Sequence, residues 1–354
     1  MVFEQKDTIG IVISDEMILV SRCGRNAAGK KTIANFISVN VPQGMIQNGF
    51  ISDTKGFSRL LKGIFKDNGI KSRKINVAIQ ESSTIIHLAK LAKLPEEEFK
   101  QLLEDEVSKY MAYGEVPVIG HYSIGHGDTV IIAIRKSIVK ALLEATDKAG
   151  LEVIGVDIPS MAVLRTLIHD GNIDLNKDKS VAVILCGNKT SMLIVKDGMP
   201  SYFRTLSATD IEELAKEVRI TTAYWEEQYP ERGIDKTIIL GDTSKAKELD
   251  MELSDEGGVV ESSGIIPDKF DLMRSASAGL ALRNEKNRSI FDVNLLPEER
   301  FIRLRLEKLL LTSVIIIGLI ALVSLSVSSV FSLGIISYEK KIEVINKKAE
   351  TQPR

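Results

Sequence analysis

A duplicated α/β architecture that ends in a membrane helix is what this sequence predicts, on three observations. Two runs of three short strands, at 8–41 and 181–206, share one rhythm of apolar residues broken by Gly, Asn and Asp. Each run precedes a helical segment, as a repeated α/β unit would. Third, Leu309 to Tyr338 is thirty residues without a charge, whereas a hydrocarbon core of about 30 Å needs only roughly 20 apolar helical residues.

In chain order, the first subdomain (1–74) opens with strands Ile9–Ile13, Met17–Ser21 and Thr32–Val39. An inserted α+β subdomain, 75–160, follows with a different rhythm. It reads as strands Ile75–Gln80 and Lys90–Leu94, a helix from Pro95 to about Tyr113, strands Val116–Ile124 and Val130–Arg135, and a helix at 137–149. Ser137 is expected to cap that helix and Gly150 to end it, with Ile138, Leu142 and Ala145 on one face. The second half, 161–283, holds strands Ser180–Leu185, Thr190–Val195 and Ser201–Leu206, the last two joined by Lys196-Asp197-Gly198. A helix at Thr209–Gln228, a strand at Thr237–Leu240, a Gly/Ser/Asp-rich passage from Gly241 to Gly264 and a helix at Ser275–Arg283 complete it. Residues 284–308 are a polar linker, an Asn-Leu-Leu-Pro stretch and a juxtamembrane helix, Glu298–Lys308; the span is 309–338 and the tail 339–354.

A composition of 44% hydrophobic and 27% charged residues is that of a globular chain, and a net charge of −2 carries no nucleic-acid footprint. Two cysteines far apart, Cys23 and Cys186, make neither a disulfide framework nor a metal cluster. The opening residues, Met-Val-Phe-Glu-Gln-Lys-Asp, lack a basic stretch followed by an apolar one. The large N-terminal part is therefore expected on the cytoplasmic side of the inner membrane and the tail in the periplasm. Basic residues flank the span equally, Arg300, Arg303, Arg305 and Lys308 against Lys340, Lys341, Lys347 and Lys348, and do not decide it.

Few motifs point to chemistry. Gly24 to Lys31 fits a phosphate-binding loop except at its last position, where Lys31 replaces Ser or Thr, and it opens into a strand; a hairpin turn is the expectation. His87, His121, His126 and His169 lack ligand spacing, and Glu96, Glu97 and Glu98 read as helix-capping charges. Ser324, Ser328 and Ser332 recur every fourth residue in the span, with Gly318 near its start, a face on which two membrane helices can associate into a homo-oligomer. Leu295 and Leu296 are apolar anchors on an extended peptide, Asn294 can bond backbone groups, and Pro297 stiffens the exit. Attachment in one chain would bring such a segment to a millimolar effective concentration at its groove. The alternative is that the leucines pack on the juxtamembrane helix or lipid headgroups.

Three stretches and their order carry a resemblance: Lys93-Leu94-Pro95-Glu96-Glu97-Glu98, Ile131 to Lys136 running on to Val156-Asp157-Ile158, and Ala278 to Arg283. With Asp292-Val293-Asn294-Leu295-Leu296-Pro297 after them, the chain resembles the PilM family of type IV pilus assembly running into the start of a PilN-like partner, an order similar to GspL-type secretion proteins. The resemblance implies an actin-like, ribonuclease H-like duplicated fold. It implies partners among PilN- and PilO-like proteins, the assembly ATPase or the platform protein, and function as an inner-membrane scaffold. Actin-like ATPases hold Mg-ATP between two acidic-glycine hairpins; here these are Val12-Ile13-Ser14-Asp15 and Leu185-Cys186-Gly187-Asn188, with aliphatic residues in place of both aspartates. No enzyme activity, cofactor or metal is therefore expected. A residual ATP site would use Gly10, Ser14, Asp15, Gly187, Asn188, Thr190 and Gly241. The alternatives are an active nucleotide-binding ATPase of the same machinery and an FtsA-like division protein, which attaches by a short amphipathic helix instead of a full span.

Overall fold

The computed structural model describes residues 8–25, 31–112, 114–125, 127–187, 189–230, 233–255, 263–265, 272–283, 291 and 293–350. They divide into two units, Met1–Leu296 and Pro297–Arg354. The first unit runs β1 (Thr8–Ile13), β2 (Met17–Arg25), β3 (Lys31–Asn40), β4 (Ile46–Gln47), β5 (Phe50–Ile51), α1 (Thr54–Asp67), β6 (Lys74–Ala78), β7 (Thr84–Lys90), α2 (Glu96–Ser108), β8 (Pro117–Gly125), β9 (Asp128–Arg135), α3 (Lys136–Ala149), β10 (Glu152–Asp157) and α4 (Pro159–His169). It continues with β11 (Ser180–Cys186), β12 (Thr190–Lys196), β13 (Met199–Leu206), α5 (Ile211–Gln228), β14 (Lys236–Gly241), α6 (Thr243–Asp255), β15 (Ser263–Ile265) and α7 (Leu272–Leu282).

The duplication lies in the sheets. One has the order β10-β6-β1-β2-β3, the other β13-β12-β11-β14-β15. In each, the opening strand pairs antiparallel with its successor on one side and parallel with a later strand on the other: β1 with β2 and β6, β11 with β12 and β14. Every residue of β11 is buried, which is why Ser180–Cys186 reads as a continuous apolar run instead of an alternating one. Asp197 (φ 49°) and Gly198 (φ 78°) take the two left-handed positions that join β12 to β13.

The insertion is narrower than 75–160. Its own sheet has the order β7-β9-β8, while β6 and β10 belong to the first large sheet. The strand expected at Lys90–Leu94 lies earlier, at Thr84–Lys90, paired with β9 from Ile134 down to Asp128; Glu-Ser-Ser before it hides the start of its apolar pattern. Ser137 sits inside α3, whose N-cap is Arg135, and Gly150 ends the helix at φ 74° as expected. The passage after Gly241 contains α6, whose Ala246, Leu249 and Leu253 form a buried stripe.

Although α7 follows the second sheet in sequence, it packs on the first. The Ser21 hydroxyl donates to the Ser277 carbonyl at 2.6 Å, and a Cβ on Gly10 would stand 2.1 Å from that same oxygen. On its other side, α7 meets α4 so closely that a Cβ on Gly279 would lie 1.8 Å from the Ala162 carbonyl oxygen.

Among the described residues of the second unit, Glu298–Glu350 form one helix, α8. It runs unbroken through the juxtamembrane helix, the span and most of the tail expected from the sequence. Among the described residues no helix is long and apolar enough to cross a membrane. Within the uncharged run, the side chains of Leu311, Ser326, Val327, Val330 to Ser332 and Gly334 are outside the description, so the span rests on the sequence.

Candidate functional site

Between the two hairpins lies a cleft of about 650 Å³, lined by the β1–β2 turn, by Gln80 and Glu81, by Pro159 and Val163 of α4, by Leu185 to Gly187, Lys189, Ser191, Gly241 and Asp242, and by Leu272, Met273 and Ala276 of α7. The first hairpin closes on itself: the Ser14 hydroxyl accepts from the Met17 N–H at 3.0 Å and donates to the Met17 carbonyl at 3.0 Å. Asp15 is already employed. Its carboxylate oxygens accept the N–H groups of Asn48 and Gly49 at 2.9 and 3.0 Å, tying the β1–β2 turn to the β4–β5 hairpin.

Two other acidic groups, Asp242 and Glu81, are also committed. Asp242 accepts from Ser244 Oγ at 2.7 Å and from the Ser244 N–H at 3.0 Å at the start of α6; the Ser244 hydroxyl is the main reason its carboxyl is held below the ordinary value. Glu81 accepts the Ser160 N–H at 2.8 Å, at the positive end of α4. Burial nonetheless raises its carboxyl above the ordinary value, with the nearby Asp157 adding to the shift. Glu16 is exposed at the tip of the turn. Burial also pushes the Cys186 thiol up to about 11.

Where the resemblance asks for two metal-orienting aspartates, Val12 and Leu185 are aliphatic and buried. Among the described residues, no group of three His, Cys, Asp or Glu is placed to hold a metal ion. These residues do not fit the metal-and-phosphate half of a Mg-nucleotide.

Of the other residues expected there, Gly187 and Gly241 line the cleft. A Cβ on Gly241, at φ 119°, would stand 1.9 Å from the Cys186 carbonyl oxygen, so this position closes the β11–β14 contact. Gly10 serves the α7 contact instead. Thr190 is buried with its hydroxyl unpaired among the described residues, and Asn188 lies outside the description. At the Gly24–Lys31 stretch, β2 and β3 pair antiparallel out to Gly24 opposite Thr32 and Arg25 opposite Lys31, and residues 26–30 lie outside the described residues. His87 meets Glu106 at 3.3 Å, His121 packs on Phe99, His169 meets Asp170, and His126 is not described.

Glu81 has a measurable consequence. A carboxyl raised in the folded state contributes stability below its unfolded pKa and loses it as pH rises through the folded value. Glu81→Gln keeps the acceptor and removes the charge. In urea titrations the variant is expected to exceed the parent at pH 7, the advantage vanishing below about pH 4, where the unfolded carboxyl also protonates.

A second site was anticipated from sequence only on its peptide side. Phe291, Val293, Leu295 and Leu296 are all buried in the main core of the first unit. The Leu295 N–H donates to the Val156 carbonyl at 2.9 Å, and Asn294 Oδ1 accepts the Val156 N–H at 3.0 Å. The segment thus covers β10, the edge strand of the first sheet, as an added strand would. A Cβ on Gly120 of β8 would stand 2.0 Å from Val293 Cγ1, so this glycine makes room for the segment. Arg283 Nη2 donates to the Val293 carbonyl at 3.0 Å, and Arg283 Nη1 to Asp157 Oδ2 at 3.1 Å. Arg165 Nη2 shares that oxygen at 2.8 Å. Gly120 and Arg165 carry no motif, and Asp157 and Arg283 lie in stretches that carry the resemblance, but that they form one buried charge group becomes visible only once the helices are placed. Pro297 begins the second unit. Within α8 the Ser324 hydroxyl donates to the Ala321 carbonyl, Ser328 is exposed, and the Ser332 side chain is outside the description.

Comparison with known proteins agrees with this architecture. A model of the family described as type IV pilus assembly protein PilM matches residues 10–209. No curated protein matches significantly. Among solved structures, a PilM–PilN type IV pilus biogenesis complex superposes with a TM-score of 0.64 at 18% identity, covering 78% of this chain and 97% of that one. A Bacteroides thetaiotaomicron protein with an actin-like ATPase fold and unknown function gives 0.49 at 13% identity, covering 77% and 95%. The cytoplasmic domain of EpsL, an inner-membrane component of the Vibrio cholerae type II secretion system, gives 0.42 at 12%, covering 83% and 99%. The fold is that of the PilM–PilN complex, and with residues 10–209 of 354 under the family's model the chain belongs to the PilM family of type IV pilus assembly proteins.

Proposed function

We propose that this protein is a membrane-anchored scaffold of a type IV pilus or type II secretion-like assembly platform, which holds a PilN-like segment of its own instead of turning over nucleotide. One observation carries the reading: Leu295 is fully buried, with its N–H bonded to the Val156 carbonyl. The fold match to a PilM–PilN complex supports a PilN-like segment as occupant of the groove, and Asn294, Leu295, Leu296 and Pro297 are the docking residues.

In this reading 309–338 crosses the inner membrane and the first unit is cytoplasmic. Support comes from α8, where Val314, Ile317, Ile320 and Val323 are 61–66% exposed within the chain, an apolar surface that calls for lipid or a partner helix. The face of Ser324, Ser328 and Ser332 is assigned to association with a second copy or a PilO-like helix. The committed carboxylates support a scaffold without ATPase activity. An ATP-binding member is the second reading, favoured by the size of the cleft and by Lys189 in its wall; tight Mg-dependent ATP affinity of the full chain would establish it in place of the first.

The docking reading is tested on the full chain in membranes. Removing a buried leucine side chain costs about 2–5 kcal/mol, so Leu295→Ser with Leu296→Ser should unseat the segment. Trypsin cleavage after Lys286 and Arg288 of the adjoining linker should accelerate at least tenfold. Cleavage at the parent's rate defeats the reading.

A further inference from the structure

Glu81 lines two cavities. One is the cleft; the other, of about 300 Å³, is bounded by β7 of the insertion, by β12 and the edge strand β13 of the second sheet, and by Ser160 of α4. Strand register sets its second-sheet wall. Ser191 lies opposite Thr205 and Leu193 opposite Phe203, so these four share one face of the sheet. Arg204, on the alternate position, donates to Thr221 Oγ1 of α5 at 2.9 Å.

The Glu81 carboxylate has no ionic partner among the described residues. Its Oε1 accepts the Ser160 N–H at 2.8 Å. The Ser160 hydroxyl, buried beside it, makes no aligned hydrogen bond there, and the charge acting on Glu81 is that of Asp157, of like sign. Burying a charge without a counter-charge is costly, and the stabilisation expected of Glu81→Gln at pH 7 measures that cost. An amide would serve the fold as well or better, so the carboxylate points to a cation that the chain itself does not supply.

The wall selects the kind of cation. Phosphate is repelled by Glu81, and the one basic residue present, Arg204, is engaged with α5. A metal ion would meet a single carboxylate, and among the described residues no group of three His, Cys, Asp or Glu is placed to hold one. An ammonium group is matched: three N–H donors find acceptors in Glu81 and in the hydroxyls of Ser160, Ser191, Thr205 and Thr84. The Thr84 hydroxyl donates to the Glu81 carbonyl at 2.8 Å, which leaves its oxygen able to accept. Phe203 and Tyr110 bring aromatic rings, which attract a cation at their faces, and Ile85, Ile86 and Leu193 bring apolar surface for an alkyl stem. A volume at the lower end of ligand pockets limits that stem to a short one.

We propose that this cavity binds a primary alkylammonium group, carried by a free small amine or by the lysine side chain of a partner, with Glu81 as its counter-charge. The site is separate from any nucleotide in the cleft and holds whether or not the chain works in pilus assembly.

The test is calorimetric titration of the full chain in nanodiscs with cadaverine, with Nα-acetyl-lysine methylamide, and with 1-pentanol as the uncharged control. Saturable binding of at least one amine, absent for pentanol, is the expected result. Glu81→Gln should weaken it about tenfold, the contribution of a charge-assisted hydrogen bond; because this variant is expected to fold at least as well as the parent, the loss is not one of folding. Phe203→Leu in the cavity should weaken it about threefold, and Met17→Ala in the cleft wall should leave it unchanged. Binding of the blocked lysine alone supports the proposal with a partner's side chain as the source, cadaverine alone with a free amine, and both with the ammonium as the feature recognised. Failure of both amines to bind overturns the proposal, as do unweakened binding by Glu81→Gln or Phe203→Leu and a loss in Met17→Ala that matches them.

Discussion

Asp157→Ala will lower the unfolding free energy of the first unit by about 3–5 kcal/mol, the cost of removing one partner from a buried ion pair. The carboxylate is 1% exposed and accepts from Arg165, Arg283 and the Ile158 N–H. Its loss leaves two guanidinium groups in the core facing a void. Urea titration of the parent and variant at neutral pH measures the effect, and Asp157→Asn should recover part of it, because the amide oxygen still accepts. A loss below about 1 kcal/mol would show that the arginines find other partners at little expense, as exposed pairs do.

Gly279→Ala will cost about 3 kcal/mol, the upper part of the range for overpacking a core. Its Cβ would lie 1.8 Å from the Ala162 carbonyl oxygen and 2.5 Å from the carbonyl carbon. The obstacle is backbone, so no rotamer change relieves it, and α7 must back away from α4. Because both helices wall the cleft, Cys186 labelling should accelerate together with the fall in the urea midpoint. An alanine tolerated without loss would mean that the two helices can separate freely.

Much of the fold is legible where a single rule governs a segment. The buried run Ser180–Cys186, the left-handed pair Asp197-Gly198 and the terminating Gly150 each follow from local chemistry. The limits of the insertion were not legible, because β6 and β10 join the first sheet by parallel pairing across long stretches of chain, and pairing partners leave no local trace. Helix α6 escaped notice because Gly241-Asp242 looks like a loop, although Asp242 is its cap. For the site, the aliphatic Val12 and Leu185 could be seen in sequence, and Leu295 and Leu296 stood out as anchors. That Asp15 is bonded by the β4–β5 hairpin, and that Gly120 makes room for Val293, depends on elements placed about 30 to 170 residues away.

The cover over β10 has a temporal side. Val156 and Asn294 bond across 138 positions of chain, a separation that makes this pairing slow to form. Domains fold from the N-terminus as they are synthesised, so the first sheet is complete, with β10 still open to pairing with other chains, until residue 296 is free. The apolar stretch beginning at Leu309 follows thirteen positions behind. Closing the sheet and delivering the helix to its own surroundings thus become neighbouring events in the birth of the molecule, and a chain stalled just before them would expose the edge that sticks.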